Sequence, residues 1–139
     1  MQLSTTTKYA IRILGMMAKN SADKFTAKQL SADLDIPYKY LTKIVTKLTK
    51  SDILSTTRGK YGGVYISKDI KDIKIIDIVI VFDDINDKRC VIADIKCDFE
   101  KKCIVHEKWE KPRCAIDNFF TKTTLLELID DPKLIETDS

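Results

Sequence analysis

Histidine occurs once in this chain of 139 residues, at position 106, and tryptophan once, at position 109. One imidazole leaves a single route to nucleophilic catalysis, His106 paired with a cysteine. No carboxylate constellation for acid–base work accompanies it, and no cofactor fingerprint is present. Glycine occurs only four times. None of the four builds a phosphate-cradling loop. The expectation is therefore a protein that is not an enzyme. No apolar run approaches the roughly 18 residues of a membrane span. The opening stretch MQLSTTTKYAIRIL carries no cleavable apolar segment. A soluble, cytoplasmic protein with no membrane partner is expected. Internal repeats and low-complexity segments are absent too. A hydrophobic content of 44% supports a real core, and the length suits one domain or one domain with an appendage.

Charge is present but uneven. The net charge of +3 hides a basic first half: residues 1–68 hold 12 Lys and Arg against 4 Asp and Glu, a balance of +8. Residues 69–139 hold 12 against 17, a balance of −5. Such a basic half is the electrostatic footprint of a polyanion binder, although lysines that merely solvate a surface give the same count.

Local pattern decides between these. Residues 5–20 read as a helix, with Tyr9, Ile13, Met16 and Met17 at helical spacing. Thr26 and Gln29 form a T-x-x-Q capping box, and Phe25 with Leu30 suits a hydrophobic staple. The helix so opened covers about 27–34 and is broken by Asp35, Ile36 and Pro37, with Pro37 suited to the first turn of the next helix. That helix runs to about Lys50. Leu41, Ile44, Val45 and Leu48 form its buried face, and Lys39, Lys43 and Lys47 a basic stripe on another. A strand from Ile53 to Thr57, a turn through Arg58, Gly59, Lys60, Tyr61, Gly62 and Gly63, and a strand from Val64 to Ser67 follow. Two helices and a basic hairpin make a winged helix-turn-helix, whose second helix suits a DNA major groove.

The second half is less regular. Residues 74–82, KIIDIVIVF, fit a strand by β-branched density and a helix by the spacing of Ile75, Ile78, Val79 and Phe82; pattern alone favours the strand. Residues 84–103 read as a loop. Residues 104–121 look helical, with Pro112 expected to kink or break them. Thr124 and Glu127 form a second capping box before a short helix, and a frayed tail ends the chain. All four cysteines, Cys90, Cys97, Cys103 and Cys114, lie with His106 inside residues 90–114. In a cytosolic protein such clustering points to metal or redox chemistry rather than a disulfide framework. Thiolates and imidazole suit an iron–sulfur cluster. Zinc is the competing metal, but its sites more often show closely spaced cysteine pairs, which are absent here.

Several separated pieces resemble one family, the bacterial winged-helix regulators of the IscR, NsrR and RirA type. They are Met1-Gln2-Leu3-Ser4 with Tyr9-Ala10, the stretch from Ile36 to Leu48, and Arg58-Gly59 followed by Gly62-Gly63-Val64-Tyr65. Three cysteines with His106 and Trp109 follow, then Thr124-Leu125 and Leu128. The resemblance covers about residues 1–130. It implies a mainly α fold with a small β-wing: a winged helix-turn-helix DNA-binding domain over 1–83, a cysteine-bearing cluster loop over 84–103, a dimerisation helix and short C-terminal helix over 104–130, and a tail over 131–139. It implies that 75–83 is a helix, against the strand preference. It implies a homodimer on a palindromic double-stranded operator, acting as a regulator, with repression the expected sense.

The resemblance also implies a ligand set. Cys90, Cys97, Cys103 and His106 match the three-cysteine, one-histidine pattern of the IscR branch, with a 2Fe–2S cluster preferred over 4Fe–4S; the alternatives are a zinc-stabilised DNA- or protein-binding module and a thiol-switch regulator without a cluster. Other branches place ligands near the N-terminus, where this chain has Lys8 and Arg12. Thr42 stands where the IscR recognition helix carries an acidic residue. The residues expected to meet DNA are Thr26, Tyr38, Lys39, Tyr40, Lys43 and Lys47 of the helix pair, and Arg58, Lys60 and Tyr61 of the wing.

Overall fold

The computed structural model describes residues 3–20, 22–83 and 104–130. Helix α1 spans Thr5–Lys19, α2 Ala27–Leu34 and α3 Tyr38–Lys50. Strands β1, Leu54–Thr57, and β2, Gly63–Ile66, follow, then α4 over Ile75–Phe82, α5 over Ile104–Lys122 and α6 over Leu125–Ile129.

Each early boundary has a local cause. Ser4 caps α1, its hydroxyl accepting from the Thr7 N–H at 3.2 Å. Thr26 caps α2, accepting from the Gln29 N–H at 3.1 Å. Phe25 and Leu30 on either side of that cap are both buried, as a staple requires. Asp35 ends α2 in the left-handed region, at φ 53°. Pro37 lies just ahead of α3 rather than inside its first turn. The core forms where α1, α2 and α3 meet the inner face of the hairpin: Ile13, Leu14, Met17, Leu30, Leu41, Ile44, Leu48 and Leu54 are all almost fully buried. Burial of each such side chain contributes about 1.5–3 kcal/mol.

The hairpin is antiparallel, pairing Leu54 with Ile66 and Thr57 with Gly63. Gly59 supplies the backbone reversal, at φ 110°, where a Cβ would be strained. Gly63 serves close approach instead. A Cβ there would stand 2.7 Å from the Phe25 carbonyl oxygen, because Phe25 and Val64 exchange backbone hydrogen bonds of 2.8 and 2.7 Å. Phe25, the residue before the α2 cap, thus forms a short third edge on the wing.

Residues 75–82 are helical, so the strand preference of the pattern is overturned. Asp77 accepts from the Lys74 N–H at 2.9 Å and starts the helix. Ile75, Ile78 and Val79 then face inward together, which a strand would not allow. Tertiary packing outweighs the propensity of the β-branched residues. Helix α5 is unbroken through Pro112. The proline removes one N–H, and the carbonyl it orphans, that of Lys108, belongs to an exposed residue that water can reach. The chain then returns: Leu125 is fully buried in the main core, its N–H donating to the Ile73 carbonyl at 2.7 Å. No helix among the described residues is long and apolar enough to cross a membrane.

Candidate nucleic-acid interface

Helix α3 divides cleanly into two faces. Leu41, Ile44, Val45 and Leu48 are buried, while Lys39, Lys43 and Lys47 are exposed at i, i+4, i+8. The burial of one face holds the helix and leaves the lysine row outward. The hydroxyls of Thr42 and Thr46 are turned back onto the Lys39 and Thr42 carbonyls, both at 2.8 Å.

The helix ends carry a second signal. No acidic residue occupies the first turn of α1, α2 or α3. Asp77, Glu107 and Glu127 occupy those of α4, α5 and α6. Helix N-termini attract anions, and a carboxylate there would repel phosphate. No side chain caps α3, so its first N–H groups remain open. Tyr38, half exposed, and Lys39 stand beside them.

At the wing, Arg58 and Lys60 are exposed, and Tyr61 is the most exposed large apolar side chain among the described residues, at 82%. The Lys60 Nζ lies 5.8 Å from the Tyr61 ring centroid. Lys24, which the sequence did not single out, enters this basic surface through the Phe25–Val64 ladder; its Cβ lies beside Gly63. No local motif marks it.

Two of the expected contacts also touch neighbouring side chains of the protein. Tyr40 is half-buried against α1, its hydroxyl hydrogen-bonded to Thr6 and its ring edge-on to Tyr9 at 5.6 Å. Lys47 Nζ sits 5.7 Å over the Phe82 ring. Thr26, exposed, uses its hydroxyl to cap α2. Tyr38, Lys39, Lys43, Lys47, Arg58, Lys60 and Tyr61 are the outward set.

The arrangement is a basic recognition helix beside a basic wing. Residues 3–131 match the family model described as an iron-dependent transcriptional regulator, Rrf2. The chain belongs to the Rrf2 family. It is thus a DNA-binding transcription regulator and not an enzyme. Among its family relatives is an HTH-type transcriptional regulator of Aquifex aeolicus, 31% identical over 132 residues, covering 93% of this chain and 92% of that protein. The HTH-type regulator IscR of Escherichia coli is 25% identical over 137 residues, covering 98% and 85%. Among solved structures, CymR, the global cysteine regulator of B. subtilis, superposes with a TM-score of 0.78 at 22% identity, covering 94% and 97%. IscR of T. potens superposes at 0.75 and 21%, covering 100% and 93%. The winged helix-turn-helix of the Rrf2 structures is the fold seen here.

Of the expected metal ligands, Cys90, Cys97 and Cys103 lie outside the described residues. His106 is half-buried in the first turn of α5. Cys114, further along α5, is exposed and not in a disulfide. Among the described residues no group of three or more His, Cys, Asp or Glu is placed to hold a metal.

Proposed function

We propose that this Rrf2 regulator is a homodimeric repressor whose operator affinity is set by an iron–sulfur cluster bound at Cys90, Cys97, Cys103 and His106. The observation that carries it is the confinement of every cysteine and the sole histidine to residues 90–114, with His106 three residues after Cys103 in the sequence. The donor set fits the group: three thiolates and an imidazole are suitable cluster ligands. His106 is half-buried in the first turn of α5. A bound cluster would supply a link between loop and helix that oxygen, nitric oxide or iron supply can alter. Imidazole, neutral and a weaker donor than thiolate, makes such a site labile, as a sensor requires.

The residues of α5 support the dimer. Only Phe120 of its 19 residues is buried. Ile104 and Phe119 are 67% and 54% exposed, and Trp109 is partly exposed. A twofold partner helix would cover them. Two α3 helices so paired would meet half-sites about one or two helical turns apart on a palindrome.

Anaerobic purification with a visible spectrum and an iron and sulfide count tests the reading. A coloured protein holding one cluster per chain is expected. Colour should vanish in each of the Cys90, Cys97 and Cys103 alanine variants, weaken or shift in His106→Ala, and persist in Cys114→Ala. A colourless protein with one zinc per chain would replace the cluster with a zinc-held loop. Bleaching by Cys114→Ala but not by His106→Ala would reassign the fourth ligand.

A further inference from the structure

Thr7 is the fully buried polar side chain of the described core, at 0% exposure. A buried hydroxyl persists only with a partner. Thr7 donates to Asp83 Oδ2 at 2.6 Å. The same oxygen accepts from the Ser4 N–H at 3.3 Å. Asp83, the residue immediately after α4, is therefore tied to the first turn of α1.

That turn also holds the recognition helix. Thr6 is hydrogen-bonded to the Tyr40 hydroxyl, and Tyr9, on the same side of α1, packs edge-on against the Tyr40 ring. Tyr40 belongs to the first turn of α3, next to Lys39. Phe82, one residue before Asp83, lies under Lys47 near the other end of α3. Residues 82 and 83 thus reach both ends of the recognition helix, one directly and one through α1. Beyond them the chain passes into residues 84–103.

We propose that Asp83 and Thr7 are positioning residues for the recognition helix, and that their contact is where residues 84–103 act on DNA binding. The second half rests on the cluster-controlled reading above. Withdrawing Asp83 leaves the buried Thr7 hydroxyl with the Ser4 hydroxyl alone, 3.0 Å away, and takes the carboxylate from the Ser4 N–H. Losing a charged acceptor from a buried hydroxyl is costly, so the Asp83 contact contributes to holding the first turn of α1. With it broken, the first turn of α1 is free to shift, and Thr6 carries Tyr40 with it.

The test uses the full chain and a duplex selected by the wild-type protein from a random library. Operator Kd, its salt slope and a thermal melt are measured for Thr7→Val, Thr7→Ser and Asp83→Ala. Valine matches threonine in shape, so no cavity opens, and the melt reads the cost of the lost hydroxyl. Thr7→Val and Asp83→Ala should bind about tenfold more weakly, the scale of one hydrogen bond to a charged group. Their salt slope should stay that of wild type, because no phosphate contact is removed. Thr7→Ser should restore binding. Folded Thr7→Val and Asp83→Ala proteins with wild-type Kd would overturn the positioning role. A double-mutant cycle addresses the second half. The Kd ratio between wild type and Cys103→Ala should collapse toward one when Asp83→Ala is present in both. A large ratio that survives Asp83→Ala would overturn the coupling alone. A ratio of one without Asp83→Ala would overturn the cluster-controlled reading, leaving the positioning role to the first measurements.

Discussion

Replacing Lys43 and Arg58 together by alanine removes one cation from the outer face of α3 and one from the wing tip. Both side chains are exposed, so neither change opens a cavity in the core. The stability cost should stay within about 0.5 kcal/mol. The DNA cost should be large. Each phosphate contact contributes about −0.9 to the slope of log K against log salt. Two contacts per protomer, doubled in a dimer, make the slope shallower by about 3.6. Between about 50 and 200 mM salt, where log salt changes by about 0.6, the variant should lose roughly 100-fold less affinity than wild type does. Fluorescence anisotropy on a labelled operator at four or five salt concentrations measures this. An unchanged slope and affinity in the double variant would refute the placement of DNA on α3 and the wing.

Three further outcomes follow from the same structure. Thr26→Ala loses the cap on the Gln29 N–H and should cost about 1 kcal/mol, read as a lowered thermal midpoint. Gly63→Ala places a Cβ 2.7 Å from the Phe25 carbonyl oxygen, so the ladder beside the wing must part. Its midpoint should fall, and amide exchange at Val64 should rise; wild-type protection there would show that the Phe25–Val64 pairing does not hold the wing. Phe119→Asp places a charge on the exposed apolar face of α5 and should yield monomers by sedimentation. A wild-type chain already monomeric at micromolar concentration, with DNA binding intact, would remove α5 as the dimer helix.

The parts of the fold legible in the sequence are those with local causes. Thr26, Gln29 and Phe25 mark the start of α2, and Asp35 to Pro37 its end, so the helix pair lies within a residue or two of its expected bounds. The stripe of Leu41, Ile44, Val45 and Leu48 fixes which side of α3 is buried, and so which side the lysines take. Residues 75–82 read differently because their β-branched side chains prefer a strand, while burial of Ile75, Ile78 and Val79 against α1 and α5 needs one helical face. Family resemblance, not periodicity, pointed to the helix. Pro112 signalled a kink or a break, and α5 continues through it where Lys108, whose carbonyl loses its partner, is an exposed residue. The bond from Thr7 to Asp83 joins residues 76 apart, and nothing in a run of three threonines marks the last of them as buried. Tyr40 looked like a groove residue by its neighbours Lys39 and Lys43, and its engagement with Thr6 is equally non-local.

Operator affinity of the anaerobically isolated protein, measured before and after exposure to nitric oxide or oxygen, tests the central claim most directly when run beside Cys103→Ala. The wild-type Kd should shift by a factor of roughly 5–150, the usual range of allosteric coupling, while the Cys103→Ala value stays fixed. Identical affinity in a colourless wild-type protein, with and without cluster reconstitution, would contradict cluster control and leave a regulator that binds DNA through α3 and the wing alone.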